Sequence, residues 1–167
     1  RVLDRYGMKQ SYTRICHISN NLVAGLNANG DITPNWQFNI FFGAGGVLST
    51  TEDLSKFAKA QFNSQHSELA LTQKPTFTVN ETLKLGLGWH ILKTQNGKEL
   101  LTHNGGTGGY SSSMLVNVAD QTAVIILSNV SAFHPKTGNI EQISLQIMSI
   151  IKNRCHTPTP KRLPLSS

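Results

Sequence analysis

The chain has little material for a metal centre, a membrane span or a nucleic-acid surface. Its 167 residues include only two cysteines, and its histidines are scattered without the spacing of a zinc motif. No apolar run approaches the roughly 20 residues that cross a bilayer. The net charge is +6, but the basic residues do not form one stripe with interleaved aromatic residues. We therefore expect no structural metal, no cofactor, no membrane span and no nucleic-acid partner.

The two ends of the chain give further expectations. Arg1 is not followed by a charged and then apolar leader, and RVLDRYGM is typical of a helix already under way that ends near Gly7. We therefore expect the chain to be cut from a longer one. A solvated tail explains four basic residues near the C-terminus: Lys152, Arg154, Lys161 and Arg162. Cys16 and Cys155 form either one disulfide or two thiols, and their spacing does not choose.

A helix is predicted over residues 51–63. Ser49 and Glu52 have the spacing of a capping box, and Asp53 adds a favourable negative charge in the first turn. Four apolar residues then fall on one helical face: Leu54, Phe57, Ala58 and Phe62. Residues 64–83 are polar, contain Pro75 and have no period, so they are interpreted as a surface connection.

Four segments have the composition of strands: residues 87–92, 99–103, 110–118 and 122–127. Their connections are short, which makes neighbouring strands antiparallel and predicts a meander. The segment 122–127 is continuously apolar, which favours a central strand buried on both faces. A second amphipathic helix is expected over residues 139–153, with five isoleucines laid on the sheet: Ile140, Ile143, Ile147, Ile150 and Ile151.

These elements predict an α+β fold in which an antiparallel β-meander is packed by a C-terminal amphipathic helix. We divide the chain into a helix-containing segment at 1–83, a sheet with its helix at 84–153 and a flexible tail at 154–167. With 38% hydrophobic residues the chain can form a core.

The stretch at 103–110 reads HNGGTGGY and has four glycines in eight residues. One interpretation is a wide hairpin turn in which glycines supply positive φ angles and His103 merely ends a strand. The other is a backbone kept bare so that a ligand can approach it. A phosphate cradle fits poorly, since no helix begins directly after the stretch.

Four motifs occur in an order that resembles the serine β-lactamase and penicillin-binding-protein superfamily, closest to its class C-like branch. They are GAGGVLSTTEDLSKF, GLGWHI, HNGGTGGYSSSMLV and AVIILSN, and a final amphipathic helix follows them. The opening RYGMKQSYT is also similar to that branch, so the resemblance covers roughly residues 1–153. It implies a partial β-lactamase-like fold and a serine hydrolase acting on a β-lactam, an ester or a D-amino peptide.

In that family the third active-site motif is Lys-Thr-Gly or His-x-Gly on an edge strand, and His103-Asn104-Gly105 matches the second form. The resemblance implies that His103 supplies positive or hydrogen-bonding character near the substrate. Gly105 would leave room for substrate along the strand, and the Gly106 amide would be one of two oxyanion donors, where a side chain would obstruct. Asn104, Gly105 and Thr107 are then the expected substrate-binding residues, with His103 and Gly106 as the catalytic ones.

The family's other two motifs, Ser-x-x-Lys and Tyr-x-Asn, have no convincing match. Ser149 to Lys152 fits the first only formally, at the end of the last helix. Tyr110-Ser111-Ser112 fits the second only formally, on the strand after the glycines. In the family both motifs precede the point where this chain begins.

The simplest interpretation is therefore the C-terminal half of a serine hydrolase, inactive alone. The alternative is a non-catalytic module that binds a ligand or partner. By the resemblance, the outer neighbour of the strand at 122–127 lies in the missing half, so that strand is expected to be an open apolar edge. The missing half, or a second copy at this edge, is the expected protein partner. The resemblance implies a periplasmic or secreted location.

Overall fold

The centre of the molecule is a six-stranded antiparallel sheet with the strand order β1-β2-β3-β4-β5-β6. The structure is a computed structural model, and it describes residues 2–18 and 21–154. The strands are β1 (Phe77–Thr78), β2 (Leu83–Leu85), β3 (His90–Lys93), β4 (Glu99–Gly106), β5 (Ser111–Asn117) and β6 (Thr122–Ser128). Each strand pairs with the next in the chain, which confirms the predicted meander and the α+β class.

Helices cover both faces of this sheet. The α-helices are α1 (Val2–Arg5), α2 (Phe42–Gly45), α3 (Thr51–Gln61), α4 (Ser67–Thr72) and α5 (Asn139–Arg154). Two 3₁₀ helices lie at Ile15–His17 and Asn39–Phe41. No helix within the described ranges is long and apolar enough to cross a membrane.

The core divides into two clusters, one on each face of the sheet. Ala58 of α3 packs with Leu101 and Val116, whereas Met148 of α5 packs with Leu100 and Leu115. Because successive residues of a strand point to opposite faces, α3 and α5 lie on opposite sides of the sheet. We call these the α3 face and the α5 face.

Helix α3 begins one residue later than the capping box predicts. Thr50 has an extended backbone, and its hydroxyl accepts a hydrogen bond from the Asp53 N–H at 3.2 Å. Ser49 instead pairs with the Ser11 hydroxyl at 2.7 Å, and Glu52 forms an ion pair with Lys56 at 3.3 Å. The predicted cap at Ser49 is therefore wrong by one position, although the helix itself is confirmed.

Asp53 does more than place a charge in the first turn of α3. Its carboxylate is fully buried and accepts hydrogen bonds from the Gln10 N–H at 2.7 Å, the Ser11 hydroxyl at 2.8 Å and the Lys56 ammonium at 2.8 Å. Burial acts to raise the pKa of Asp53, but the hydrogen bonds from Lys56, Ser11 and Gln10 hold that pKa below its ordinary value. The carboxylate thus ties the N-terminal segment to α3.

Residues 64–83 are not an unstructured connection. They contain α4 and β1, and β2 begins at residue 83. The carbonyl of Thr72 at the end of α4 accepts the Leu87 N–H at 3.0 Å, which holds the β2–β3 turn against the helix. These elements have two to six residues each, too short to give a detectable hydrophobic period. The division of the chain near residue 83 stays a prediction, and the sheet extends before it to Phe77.

The bounds of α5 agree with the sequence, but its contact face does not. Ser144 and Met148 are buried against the sheet, whereas Ile143, Ile147 and Ile150 are exposed. The Ser144 hydroxyl donates to the Ser113 hydroxyl at 3.0 Å, so a small polar residue of α5 lies where the helix contacts β5. The expectation that all five isoleucines lie on the sheet is therefore wrong.

Strand β6 lies at the end of the sheet, which agrees with the expected open edge, but the expected burial on both faces is not found. Its only strand partner within the described ranges is β5, and Val124 is its one buried residue there. The C-terminal tail at 155–167, with Cys155, lies outside the described residues. Cys16 is exposed and has no disulfide partner among the described residues.

Candidate active site

The His-x-Gly stretch forms the far half of strand β4, beyond the end of β3. The β3–β4 pairing ends where His90 faces Thr102, whereas the β4–β5 pairing continues to Gly106, which faces Ser111. Within the described ranges, residues 103–106 thus have a partner strand on one side only. Outward-pointing backbone groups there, apart from the Asn104 carbonyl that His103 contacts, are available to a ligand laid alongside as an added strand.

Strand alternation divides the predicted site residues between the two faces of the sheet. His103 pairs with Met114, which packs on the α3-side cluster, so His103 and Gly105 share the α3 face. Asn104 pairs with Ser113, which contacts Ser144 of α5. Asn104 and Gly106 therefore share the α5 face.

The exposed imidazole of His103 contacts the backbone through Nδ1. Its Nδ1 lies 2.6 Å from the carbonyl oxygen of Asn104. A carbonyl oxygen can only accept, so Nδ1 carries the proton and donates. In the neutral ring Nε2 then keeps its lone pair for a second partner. The ring of His90 lies nearby, with a centroid separation of 5.9 Å.

Asn104 and Thr107 make contacts within the protein. The amide nitrogen of Asn104 donates a short hydrogen bond to the carboxylate of Glu141 in the first turn of α5. The Thr107 hydroxyl accepts the N–H groups of Gly109 at 3.3 Å and Tyr110 at 3.1 Å, as in a side-chain-stabilised turn. Substrate contacts by Asn104 and Thr107 stay predictions.

Glycine is favoured in this stretch because neighbouring atoms leave little room for a β-carbon, and not because the backbone has positive φ angles. None of the four is among the glycines with positive φ, so this part of the hairpin interpretation is wrong, although residues 107–110 do form the turn between β4 and β5. A β-carbon on Gly105 would lie 2.7 Å from the Ser112 hydroxyl, and one on Gly106 would overlap the β-carbon of Ala132. On Gly108 it would lie 2.8 Å from the Trp36 indole nitrogen. The protein's own side chains therefore approach the bare backbone closely at Gly105, Gly106 and Gly108.

A cleft of about 300 Å³ lies on the α5 face beside this strand. It is bounded by residues 104–106, by Ala132 and by the start of α5, with Glu141 in its wall. Ser111 also lines it, and its hydroxyl is buried without a hydrogen-bond partner among the described residues. His103 is not in the wall, so the cleft and the imidazole lie on different sides of the strand.

Exposed aromatic side chains border the turn that follows β4, which sequence reasoning missed. Trp36 is 49% exposed and Phe133 is 68% exposed, and their ring centroids lie 6.1 Å apart. The Ala132 N–H donates to the Thr107 carbonyl at 3.0 Å, which places Phe133 next to the turn. The aromatic-rich letters NWQFNIFF at 35–42 were the signal that could have found this surface.

Both formal motif matches have structural roles. The Ser149 hydroxyl is exposed on α5 and donates to the Gln146 carbonyl at 2.7 Å within its own helix. The Tyr110 hydroxyl donates to the Val23 carbonyl at 2.7 Å, which ties the turn after β4 to the N-terminal segment. Neither contact couples a serine to a base.

Several solved structures share this fold. The octameric penicillin-binding protein homologue from Pyrococcus abyssi superposes with a TM-score of 0.73 at 19% identity, over 91% of this chain and 36% of that one. The β-lactamase/D-alanine carboxypeptidase from Pseudomonas syringae gives a TM-score of 0.74 at 16% identity, over 87% of this chain and 51% of that one. At these identities the likeness establishes the fold.

Sequence comparison establishes the family. Penicillin-binding protein 4* of Bacillus subtilis (strain 168) is 31% identical over 91 residues, which are 52% of this chain and 20% of that protein. The chain thus spans about a fifth of the length of the curated relatives that it matches. The sequence model of the beta-lactamase family matches residues 2–146. The chain belongs to the beta-lactamase family.

Proposed function

We propose that this chain is the C-terminal portion of a serine hydrolase that acts through an acyl-serine intermediate on a β-lactam, an ester or a D-amino peptide. The observation that carries the proposal is the half-paired end of β4 at residues 103–106 with the exposed imidazole of His103. An extended acyl substrate can add to such an edge through its backbone-like amide groups. Membership in the beta-lactamase family supports the same site.

Each residue of this strand has a proposed task. The N–H of Gly106 serves as one oxyanion donor, because a backbone donor is rigid and needs no reorganisation during the reaction. The Nε2 atom of His103 interacts with the substrate carboxylate or with the catalytic hydroxyl groups. Gly105 places no side chain between His103 and the substrate on the α3 face, where the Ser112 hydroxyl lies 2.7 Å from the position of a β-carbon.

The nucleophile is proposed to lie outside these 167 residues. The sequence contains one Ser-x-x-Lys match, at Ser149, and that hydroxyl is engaged within α5. Without a nucleophile and its base, an oxyanion donor alone leaves only a small acceleration. The chain by itself is therefore expected to form no acyl-enzyme. The missing N-terminal half would be its protein partner, and the proposed location is periplasmic or secreted.

Covalent labelling tests this proposal. The chain, and the chain together with the residues encoded upstream of Arg1, are incubated with a chromogenic β-lactam and a p-nitrophenyl ester, and intact-protein mass spectrometry detects the adduct. We expect no adduct on the chain alone and an adduct on an upstream serine in the longer protein. An adduct on a serine of this chain would contradict the assignment of the nucleophile.

The alternative function is a non-catalytic module that binds a ligand or a partner. It is favoured by the internal contacts of Asn104 with Glu141 and of Thr107 with its own turn, because they occupy two expected substrate-binding side chains. The upstream sequence discriminates the two functions. Absence of both Ser-x-x-Lys and Tyr-x-Asn there would support the binding module and exclude the hydrolase.

A further inference from the structure

We propose that the cleft on the α5 face of β4 binds a primary ammonium group, and that the substrate at residues 103–106 therefore carries a free amine, as a D-amino peptide does. The choice of substrate rests on the proposed function, whereas the ammonium site does not. The cleft has a volume of about 300 Å³, which suits a small amino-acid derivative. Gly106, whose N–H is the proposed oxyanion donor, lines the cleft, so a group bound there lies beside the reacting carbonyl.

The lining of the cleft favours a positive charge. Among the described residues that line it, Glu141 is the only charged one, and its side chain is exposed. Glu141 stands in the first turn of α5, where the N-terminus of a helix has a partial positive charge of about half a unit. The full negative charge of Glu141 outweighs this partial charge, so the cleft attracts a cation and disfavours an anion.

A second and independent feature of the cleft is a polar group without a partner. Ser111 lines the cleft and is only 4% exposed, and its hydroxyl has no hydrogen-bond partner among the described residues. Ser111 shares the α5 face with Ser113, two residues further along β5, which contacts that helix. Because a serine side chain has three staggered rotamers, its Oγ can turn toward a ligand. A ligand N–H would satisfy a hydroxyl that is otherwise buried at a cost.

A primary ammonium group matches these two acceptors. It has three N–H donors and no acceptor. One carboxylate oxygen of Glu141 accepts the Asn104 amide, and the second can accept a charge-assisted hydrogen bond from the ligand. The Ser111 hydroxyl accepts a second N–H, and water accepts the third. A penicillin-type β-lactam carries a carboxylate instead, which Glu141 would repel.

An NMR titration of the isotope-labelled chain tests the site without any hydrolysis. The probes are D-alaninamide, which carries an ammonium group, and N-acetyl-D-alaninamide, which lacks that charge. We expect only D-alaninamide to shift the backbone amide signals of residues 104–106 and 138–141. Its affinity should fall at least about fivefold in Glu141→Gln, which keeps an oxygen acceptor for Asn104, and measurably in Ser111→Ala.

Glu81→Gln is the matched control, because it removes an exposed carboxylate between β1 and β2 and should keep the wild-type affinity. Circular dichroism verifies that each variant is folded. Equal binding of the two probes, no binding of D-alaninamide by the wild-type chain, or unchanged affinity in Glu141→Gln or Ser111→Ala would overturn the ammonium site.

The substrate is tested separately in the longer protein, with D-alanine p-nitroanilide and its N-acetyl derivative. We expect kcat/KM to be at least about fivefold higher for the free amine, and this preference to disappear in Glu141→Gln but not in Glu81→Gln. Equal kcat/KM for the two substrates in the wild-type protein would overturn the choice of substrate. Binding of D-alaninamide without any hydrolase activity would support the ammonium site and contradict only the proposed function.

Discussion

The backbone of Gly106 lies directly against Ala132, so that a β-carbon at position 106 would overlap the β-carbon of Ala132. Gly106→Ala is therefore expected to lower the free energy of unfolding by about 1–3 kcal/mol, the usual cost of overpacking. Gly43→Ala is the matched control, because a β-carbon there has no neighbour within 4 Å and its φ angle is not positive. Urea denaturation of the two variants measures the difference.

A second substitution separates packing from any catalytic role of the same glycine. Ala132→Gly removes the atom that clashes, so Gly106→Ala with Ala132→Gly should regain most of the lost stability. If Gly106→Ala is as stable as Gly43→Ala, the close contact with Ala132 does not exist in solution.

The buried carboxylate of Asp53 predicts a specific loss of stability. Asp53→Ala removes the acceptor shared by the Gln10 N–H, the Ser11 hydroxyl and the Lys56 ammonium, although Ser11 keeps its contact with Ser49 and Lys56 its ion pair with Glu52. Hydrogen bonds to a buried charge are worth more than neutral ones, so we expect a loss of about 2–4 kcal/mol in the free energy of unfolding. Glu81→Ala, which removes an exposed carboxylate between β1 and β2, should change it by less than about 0.5 kcal/mol.

The same carboxylate predicts a pH dependence. The pKa of Asp53 is lower in the folded chain than its ordinary value of 3.8. Its contribution to stability is therefore complete above about pH 4 and is lost as the pH falls through the folded-state pKa. Asp53→Asn should flatten the loss of thermal stability between about pH 4 and pH 2. If the melting temperatures of wild type and Asp53→Asn fall equally as the pH is lowered across that range, this prediction is contradicted.

The exposed apolar residues of β6 and α5 predict self-association of the chain. Leu127 on the terminal strand and Ile143, Ile147 and Ile150 on α5 are exposed. An open strand edge beside apolar surface recruits another strand or chain. Size-exclusion chromatography with light scattering should therefore detect oligomers that dissociate on dilution, and Leu127→Lys should favour the monomer. A clean monomer of the wild-type chain at high micromolar concentration would exclude this interface.

Local signals in the sequence were sufficient for much of the fold. Strong periodicity placed α3 within two residues although the cap was predicted at Ser49 instead of Thr50, and continuous apolar letters gave β6 nearly its observed bounds. The strand that carries His103 was also predicted, although it extends three residues further, to Gly106. These elements are long enough for a hydrophobic period to be recognised.

Contacts between distant residues were the part that the sequence could not supply. The side of α5 that contacts the sheet was predicted wrongly because more than one side of this helix carries apolar residues. The side that faces the sheet contains Ser144, whose hydroxyl donates to the Ser113 hydroxyl. The sequence left open whether the four glycines after His103 supply positive φ angles or leave room for a ligand, and it could not reveal the close contacts of Ser112, Ala132, Trp36 and Thr33 with them. The rings of His90 and His103, whose centroids lie 5.9 Å apart, belong to different strands, and no local pattern encodes their approach.

The kinetic effect of removing the His103 imidazole tests the central claim most directly. His103→Ala is compared with His17→Ala, which removes an exposed imidazole outside the sheet, in the protein that carries this chain together with its upstream residues. We expect His103→Ala to lower kcat/KM for a β-lactam or ester substrate by about 10²–10³, the scale of one preorganised electrostatic group, and His17→Ala to leave it unchanged. A folded His103→Ala variant with wild-type kcat/KM would contradict the assignment of residues 103–106 as the acyl-substrate site.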